Sequence, residues 1–292
     1  MTKWAMGEAA LANVIFGLSF LFTKRALGAA SPIVLLAYRF TLAAVLMSVI
    51  ALMRRDLLRL KGKPIGSLIL LGFCQPVLYF ICENYGILYV STTFAAVMLA
   101  LVPIAAMLLG MVFLREVPKI GQAICSIVSV GGVIFLALKS NAEGTVTGWG
   151  IVLLIGAVFS AAFFNLLSRK TAASFSAFER TFMMFLLAAV VFDLWAVIEC
   201  GGVNKTLLAP LFSSSFRIGI LYLGGVSSVG AFLLYNSATT YLTVARATAF
   251  SNVITVVSLL AGAFFLHEPL ALSSWIASAV IVLGVWGAQR KW

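Results

Sequence analysis

The chain is 292 residues long, 63% of them hydrophobic and only 10% charged, with a mean hydropathy of +1.12. Soluble domains are roughly half apolar and about a quarter charged, so a soluble globular enzyme, a disordered chain and a disulfide scaffold are excluded. Its 20 Lys and Arg outnumber 9 Asp and Glu for a net charge of +11, but the cations stand mostly singly between long apolar runs, which points to membrane topology rather than nucleic acid.

About 20 apolar residues cross the hydrocarbon layer as a helix. Ten such stretches are expected: 4–23, 32–53, 65–85, 91–114, 120–138, 149–168, 177–198, 218–237, 246–266 and 272–289. The fold class is therefore an all-α integral membrane protein. Lys3, the apolar run 9–22 and Gly28-Ala29-Ala30 imitate a cleavable signal peptide. Lys24 and Arg25 stand between the run and the small residues, however, and the repeat described below needs this segment as a helix.

The first span places Asn13, Gly17, Phe20 and Lys24 on one face. The second holds Arg39, and the strongest basic run, residues 54–63, follows it. The third has Pro76 in its middle. A proline there removes a backbone hydrogen bond and frees the carbonyl four residues earlier, that of Gly72. Gln75, Tyr79 and Glu83 recur at every fourth residue of this span, and polar side chains at membrane depth turn to a bundle interior or cavity. Arg39 and Glu83 fall at similar depth and are expected to pair, either as a static structural pair or as a gate with Arg39 meeting a solute carboxylate. In the fourth span Pro103 frees Leu99 in the same way. Glu116 and Glu268 follow the fourth and ninth spans and are expected to cap the next helices first and to gate second. Asp193 lies toward the outer end of the seventh span with no obvious partner, and the eighth offers Ser227, Tyr235 and Asn236.

Asn13, Phe20, Gln75, Tyr79, Glu83, Ser227, Tyr235 and Asn236 are thus candidates to line one central cavity, the alternative for each being an interhelical hydrogen bond. Arg39, Glu83, Asp193, Pro76 and Pro103 are candidates for gating or coupling. Cys74, Cys82, Cys125 and Cys200 show neither metal spacing nor a disulfide framework. The lone His267 is expected at an interface. No cofactor or metal is expected, nor is an enzyme, since no acid, base and nucleophile cluster along the chain. Small residues four apart, such as Ala106/Gly110 and Ser258/Gly262, suit close helix packing within the chain or across a weak homodimer.

The chain repeats itself. At an offset of about 145 residues Lys24-Arg25 meets Arg169-Lys170, Ser31 meets Ser176, and Leu42-Ala43-Ala44-Val45 recurs as Leu187-Ala188-Ala189-Val190. At an offset of about 152 Gly72 meets Gly224, Phe80 meets Phe232, Asn84 meets Asn236, Gly110 meets Gly262 and Glu116 meets Glu268. Residues 1–144 and 145–292 are thus two five-helix repeats. Five is odd, so the second enters the membrane upside down, around a central cavity, as in secondary transporters. With both termini in the cytoplasm, that side holds Lys3, Arg54, Arg55, Arg59, Lys61, Lys63, Arg115, Lys119, Arg169, Lys170, Arg180, Arg246, Arg290 and Lys291. The outer side holds only Lys24, Arg25, Lys139, Lys205 and Arg217.

Phe16-Gly17, Phe20 and Lys24, then Arg39-Phe40, Glu83-Asn84-Tyr85-Gly86, Ser91-Thr92-Thr93, Ala95-Ala96 with Pro103, and the endings Leu114-Arg115-Glu116 and Leu266-His267-Glu268 come in an order that resembles the ten-helix EamA-type members of the drug/metabolite transporter superfamily. The resemblance covers nearly the whole chain. Phe16 stands where the family often has Trp, and Thr255 where many members repeat the proline. The resemblance implies export of amino acids or other small metabolites by alternating access in the cell membrane, with a small solute and the bilayer as partners. A membrane scaffold or sensor, or an intramembrane lipid-modifying enzyme, is the alternative, and net solute flux separates them.

Overall fold

The computed structural model describes residues 2–90, 92–139, 147–266 and 271–290. Ser91, His267, Glu268 and Lys291, named above, lie outside them. Among the described residues nine helices are long and apolar enough to cross a membrane, and Leu272–Ala288 is a shorter apolar one. They are α1 (Thr2–Ala26), α2 (Pro32–Met53), α3 (Gly66–Gly72, Phe73–Leu78 and Tyr79–Leu88), α4 (Thr92–Leu99 and Val102–Leu114) and α5 (Ile120–Lys139). The second set is α6 (Gly148–Thr171), α7 (Ala177–Glu199), α8 (Ser214–Ile220, Leu221–Ala231 and Phe232–Tyr241), α9 (Val244–Ala249 and Ser251–Leu266) and α10 (Leu272–Ala288).

Local chemistry sets where these helices begin. Ser31 accepts from the Val34 amide ahead of Pro32, a residue whose fixed φ suits a first turn. Ser176 does the same for α7 and exchanges a second bond with Glu179, a complete capping box. The two serines are the same position of the two repeats. Thr147 and Ser213 cap α6 and α8.

The breaks also come in pairs. The middle of α3 (Phe73–Leu78) and of α8 (Leu221–Ala231) widen into π-type turns at matching places. Pro76 accounts for the first; Gln75, just before it, is fully extended (φ −146°, ψ 125°). The carbonyl seen to be captured is that of Cys74, which accepts from Ser160 of α6 at 2.5 Å. In α4 the interruption falls at residues 100–101, and Pro103 is the second residue of the new segment, where a missing N–H costs nothing. Its counterpart α9 is interrupted at Phe250.

Packing obeys the same exchange of halves. α5 packs on α10 and α2 on α7; α3 lies on α6 as α8 lies on α1, α4 on α6 as α9 on α1, and α2 on α8 as α7 on α3. Phe40 and Phe185, one repeat apart, face each other at 5.7 Å between ring centres, and each packs on its own Phe80 or Phe232 (5.7 and 5.5 Å). This aromatic cluster joins the two halves of the chain in the core of the bundle. Gly72 and Gly224 allow two close crossings at matching places of the repeats. A Cβ on Gly72 would stand 3.1 Å from the Met184 Cα, and one on Gly224 would stand 3.0 Å from the Arg39 carbonyl.

Both described chain ends sit on one face of the bundle. The start of α1 shares a cavity with Leu234 near the end of α8, and Gln289 donates to the Arg246 carbonyl at the start of α9.

Candidate functional site

The strip expected on α3 forms. The Tyr79 hydroxyl donates to Glu83 at 2.8 Å, and Gln75 follows one turn back on the extended residue of the break. All three side chains are half-buried, and the strip borders a crevice on this side of α3. Its walls include Phe80, edge-on to Tyr79, and the apolar group of Leu99, Val102, Val158 and Ala161 from α4 and α6. Among the described residues the Gln75 amide has no hydrogen-bond partner, and Glu83 accepts from Tyr79.

Arg39 does not pair with Glu83. Its Nε donates to Ser228 at 2.9 Å and its Nη2 to Ser227 at 3.3 Å, and its guanidinium lies over the Phe80 and Phe40 rings. The reason is the widened turn of α8, which offers two hydroxyls closer than the carboxylate. Asp193 also differs from expectation: the Thr41 hydroxyl of α2 reaches both its oxygens, at 2.7 and 2.6 Å.

The other cavity candidates are wall rather than lining. Asn13 is buried and donates to its own Ala9 carbonyl. Ser227 is buried between Ser19 and Arg39. Tyr235 donates to Asn165 at 2.5 Å within the aromatic cluster. Asn236 is buried against Thr181 and Ser168. Phe20 is 53% exposed, and it is Phe16 that reaches Phe232 and Tyr235. The cause is that α1 packs against both α8 and α9, so a single helical wheel misassigns its faces. One central cavity lined by all eight residues is therefore not what this conformation presents: it has a crevice on α3 and packed polar clusters around it.

A second polar centre went unrecognised. Arg180, counted above as a topology charge, is fully buried. It donates to the Ser168 carbonyl and hydroxyl (2.7 and 3.0 Å), to Thr239 and Thr240 (3.1 and 2.7 Å) and to the Asn236 carbonyl (2.5 Å). The capping box gives the signal that finds it, because a helix starting at Ala177 puts Arg180 in the first turn. Beside it Glu179, 2% exposed, accepts from the Arg59 amide and from Lys63 at 2.8 Å. Glu116 was expected to cap α5. Its carboxylate instead accepts from Arg169 at 2.9 Å and from the Val244 amide of α9 at 2.9 Å, while Thr243 gives that helix no side-chain cap. These contacts tie α3, α4, α6, α7, α8 and α9 together on the face that carries both chain ends. Next to them a cavity of about 540 Å³ opens between Arg115, Lys119 and Arg246. Among the described residues no group of His, Cys, Asp and Glu could hold a metal ion.

A polytopic helical bundle with paired helix breaks and half-buried polar groups beside them has the architecture of a membrane transporter. The profile of the EamA-like transporter family matches residues 3–138 and again 148–288. The chain belongs to this family. An uncharacterized transporter, YcxC of Bacillus subtilis, is 31% identical over 284 residues, 96% of this chain and 91% of its own. An uncharacterized transporter of Archaeoglobus fulgidus is 28% identical over the full length of both chains. A solved crystal structure shares the fold, with a TM-score of 0.79 at 17% identity, covering 97% of this chain and 96% of its own.

Proposed function

We propose that the chain is a secondary-active carrier that exports amino acids or related small metabolites across the cytoplasmic membrane by alternating access of two inverted repeats, residues 1–144 and 145–292. The observation that carries this reading is the Gln75–Tyr79–Glu83 strip. An amide with no partner among the described residues and a carboxylate bound by one hydroxyl sit at a helix break, with Arg39 held on serines nearby. A zwitterion complements that pair of separated charges: its ammonium group suits Glu83 and Gln75, its carboxylate suits Arg39, and Tyr79 and Phe80 receive an apolar side chain. In this reading the face with both chain ends is cytoplasmic, its polar ties hold it closed, and the crevice is reached from outside. Each chain holds a whole site, so a monomer suffices.

The test is flux of a labelled amino-acid panel into proteoliposomes, with and without a pH gradient. Saturable, protein-dependent flux that falls at least about tenfold in Glu83→Gln, the loss of one charge-assisted contact, is expected. No flux for the whole panel from folded protein would overturn the amino-acid assignment.

A further inference from the structure

The short connection from α4 to α5, residues 115–119, is shaped by its own sequence. Arg115 takes the left-handed conformation (φ 56°) that ends α4, and Val117, as the residue before a proline, is disfavoured in a helix. The Lys119 amide then donates to the Gln122 side-chain oxygen at 3.2 Å and opens α5. Glu116 reaches the Val244 amide, which sets the start of α9 against this connection. Between them lies the cavity of about 540 Å³, within the roughly 300–1,000 Å³ of small-ligand clefts. It shares no residue with the Gln75–Tyr79–Glu83 strip.

The walls of this cavity are rich in donors. Arg115, Lys119 and Arg246 bring three cations against one carboxylate, that of Glu116. Both oxygens of that carboxylate are engaged, one by Arg169 and one by the Val244 amide. Among the described residues the Arg115 guanidinium has no partner, and Arg246 donates from one nitrogen to the Arg290 carbonyl at 3.4 Å. Gln122 adds a neutral donor. It lines the cavity and is only 8% exposed; its oxygen is held by the Lys119 amide, and its amide nitrogen has no partner among the described residues. The Thr243 hydroxyl, which does not cap α9, lines the same cavity. Cations, an amide and a hydroxyl, with the carboxylate occupied, complement an oxyanion that accepts from several donors at once.

The setting indicates what carries that oxyanion. Val117 and Ile120 are 76% and 80% exposed, and Phe113 at the end of α4 is exposed too, so apolar surface lies beside the cavity where a bilayer places acyl chains. On α10, which packs on α5, the Arg290 guanidinium stands 3.9 Å from the ring centre of the exposed Trp286. Tryptophans of this kind mark the membrane interface. Arg290 is also the residue whose carbonyl accepts from Arg246, so the interface passes the cavity.

We propose that this cavity binds the phosphate group of an anionic phospholipid, held by Arg115, Lys119, Arg246 and the Gln122 amide. Basic pockets between helices at the cytoplasmic side of membrane proteins take such headgroups, and in the orientation proposed above the site faces the leaflet that carries anionic lipids. The headgroup joins the start of α5, in the first half of the chain, to the start of α9, in the second. It therefore stabilises the arrangement that brings these two helix ends together.

Native mass spectrometry of the full chain in detergent, titrated with phosphatidylglycerol or phosphatidylcholine, tests this. Phosphatidylglycerol is expected to bind about tenfold more tightly, the worth of one charge-assisted bond. Arg246→Gln and Arg115→Gln should each weaken its binding about tenfold. Gln122→Glu keeps an oxygen for the Lys119 amide but sets a carboxylate in the cavity, and should abolish the preference between the lipids. Lys170→Gln removes an exposed cation outside the cavity and should leave the affinity unchanged. Arg115 is itself exposed, so its variant keeps the result decisive if Arg246→Gln does not fold. Equal affinity for the two lipids, or equal losses in Lys170→Gln and Arg115→Gln, would mean general attraction to a basic face and overturn the proposal. Binding of inorganic phosphate as tight as that of phosphatidylglycerol would assign the cavity to a soluble anion and overturn it as well. The readout needs no solute, so its failure is distinct from a failed flux assay.

Discussion

Arg180 shows what a single buried side chain can hold. It has no carboxylate partner; its charge is dispersed over two carbonyls, three hydroxyls and the more distant Ser176 carbonyl (3.4 Å). That geometry needs a planar fork with separate donors, which lysine lacks. Arg180→Lys should destabilise by about 3 kcal/mol, since several acceptors at once lose their donor. In detergent, the unfolding midpoint should fall by roughly 6 °C; an unchanged midpoint would show that the network is slack. The residue was legible as a cation near a helix start and illegible as a core residue. Charge counting gives the side of the membrane, and only the neighbours Ser168, Asn236 and Thr239 make burial affordable. Glu116 is a similar case: its cap is real, but the helix it caps is 128 residues away in sequence.

At the scale of elements, the α2–α8 and α3–α7 crossings are twin joints. Gly224 sits against Leu42 and the Arg39 carbonyl, Gly72 against Met184 and Leu187. An alanine at either site must push backbone away, at about 1–3 kcal/mol. Gly225→Ala, whose nearest neighbour would be Leu46 at 3.8 Å, is the control and should leave stability unchanged. Gly224→Ala should lower transport more than Gly72→Ala does, because it displaces the helix that carries Arg39. Equal losses of transport in both would detach Arg39 from the solute path. Pro76 marked the α3 break in the sequence, and the offset that pairs Gly72 with Gly224 also sets Ser228 at the place of Pro76, where α8 widens. The contents of the walls were not legible in that way. The period of one helix fixes which residues share a face, but α1 has two partners and α8 swings its serines toward Arg39, so Phe20, Asn13 and Ser227 could not be placed from their own helices.

For the whole molecule, orientation is the property that gives the crevice and the Glu116–Arg169 face their biological sides. The stretch joining α2 to α3 carries Arg54, Arg55, Arg59, Lys61 and Lys63, whereas the stretch joining α7 to α8 carries Lys205 before α8 begins. Short loops rich in Lys and Arg stay on the cytoplasmic side. The structure adds a second reason for keeping the first stretch there. Lys63 and the Arg59 amide both bind Glu179, so this loop folds back onto the start of α7 and shares a face with Arg169 and Glu116. Alkaline phosphatase fused after Gly201 should therefore be active, since it needs the oxidising exterior to fold, and the same enzyme fused after Arg59 should be silent. The inverse pattern would turn the molecule over. The face that carries Glu116 and Arg169 would then lie outside, and the crevice would be reached from the cytoplasm at rest.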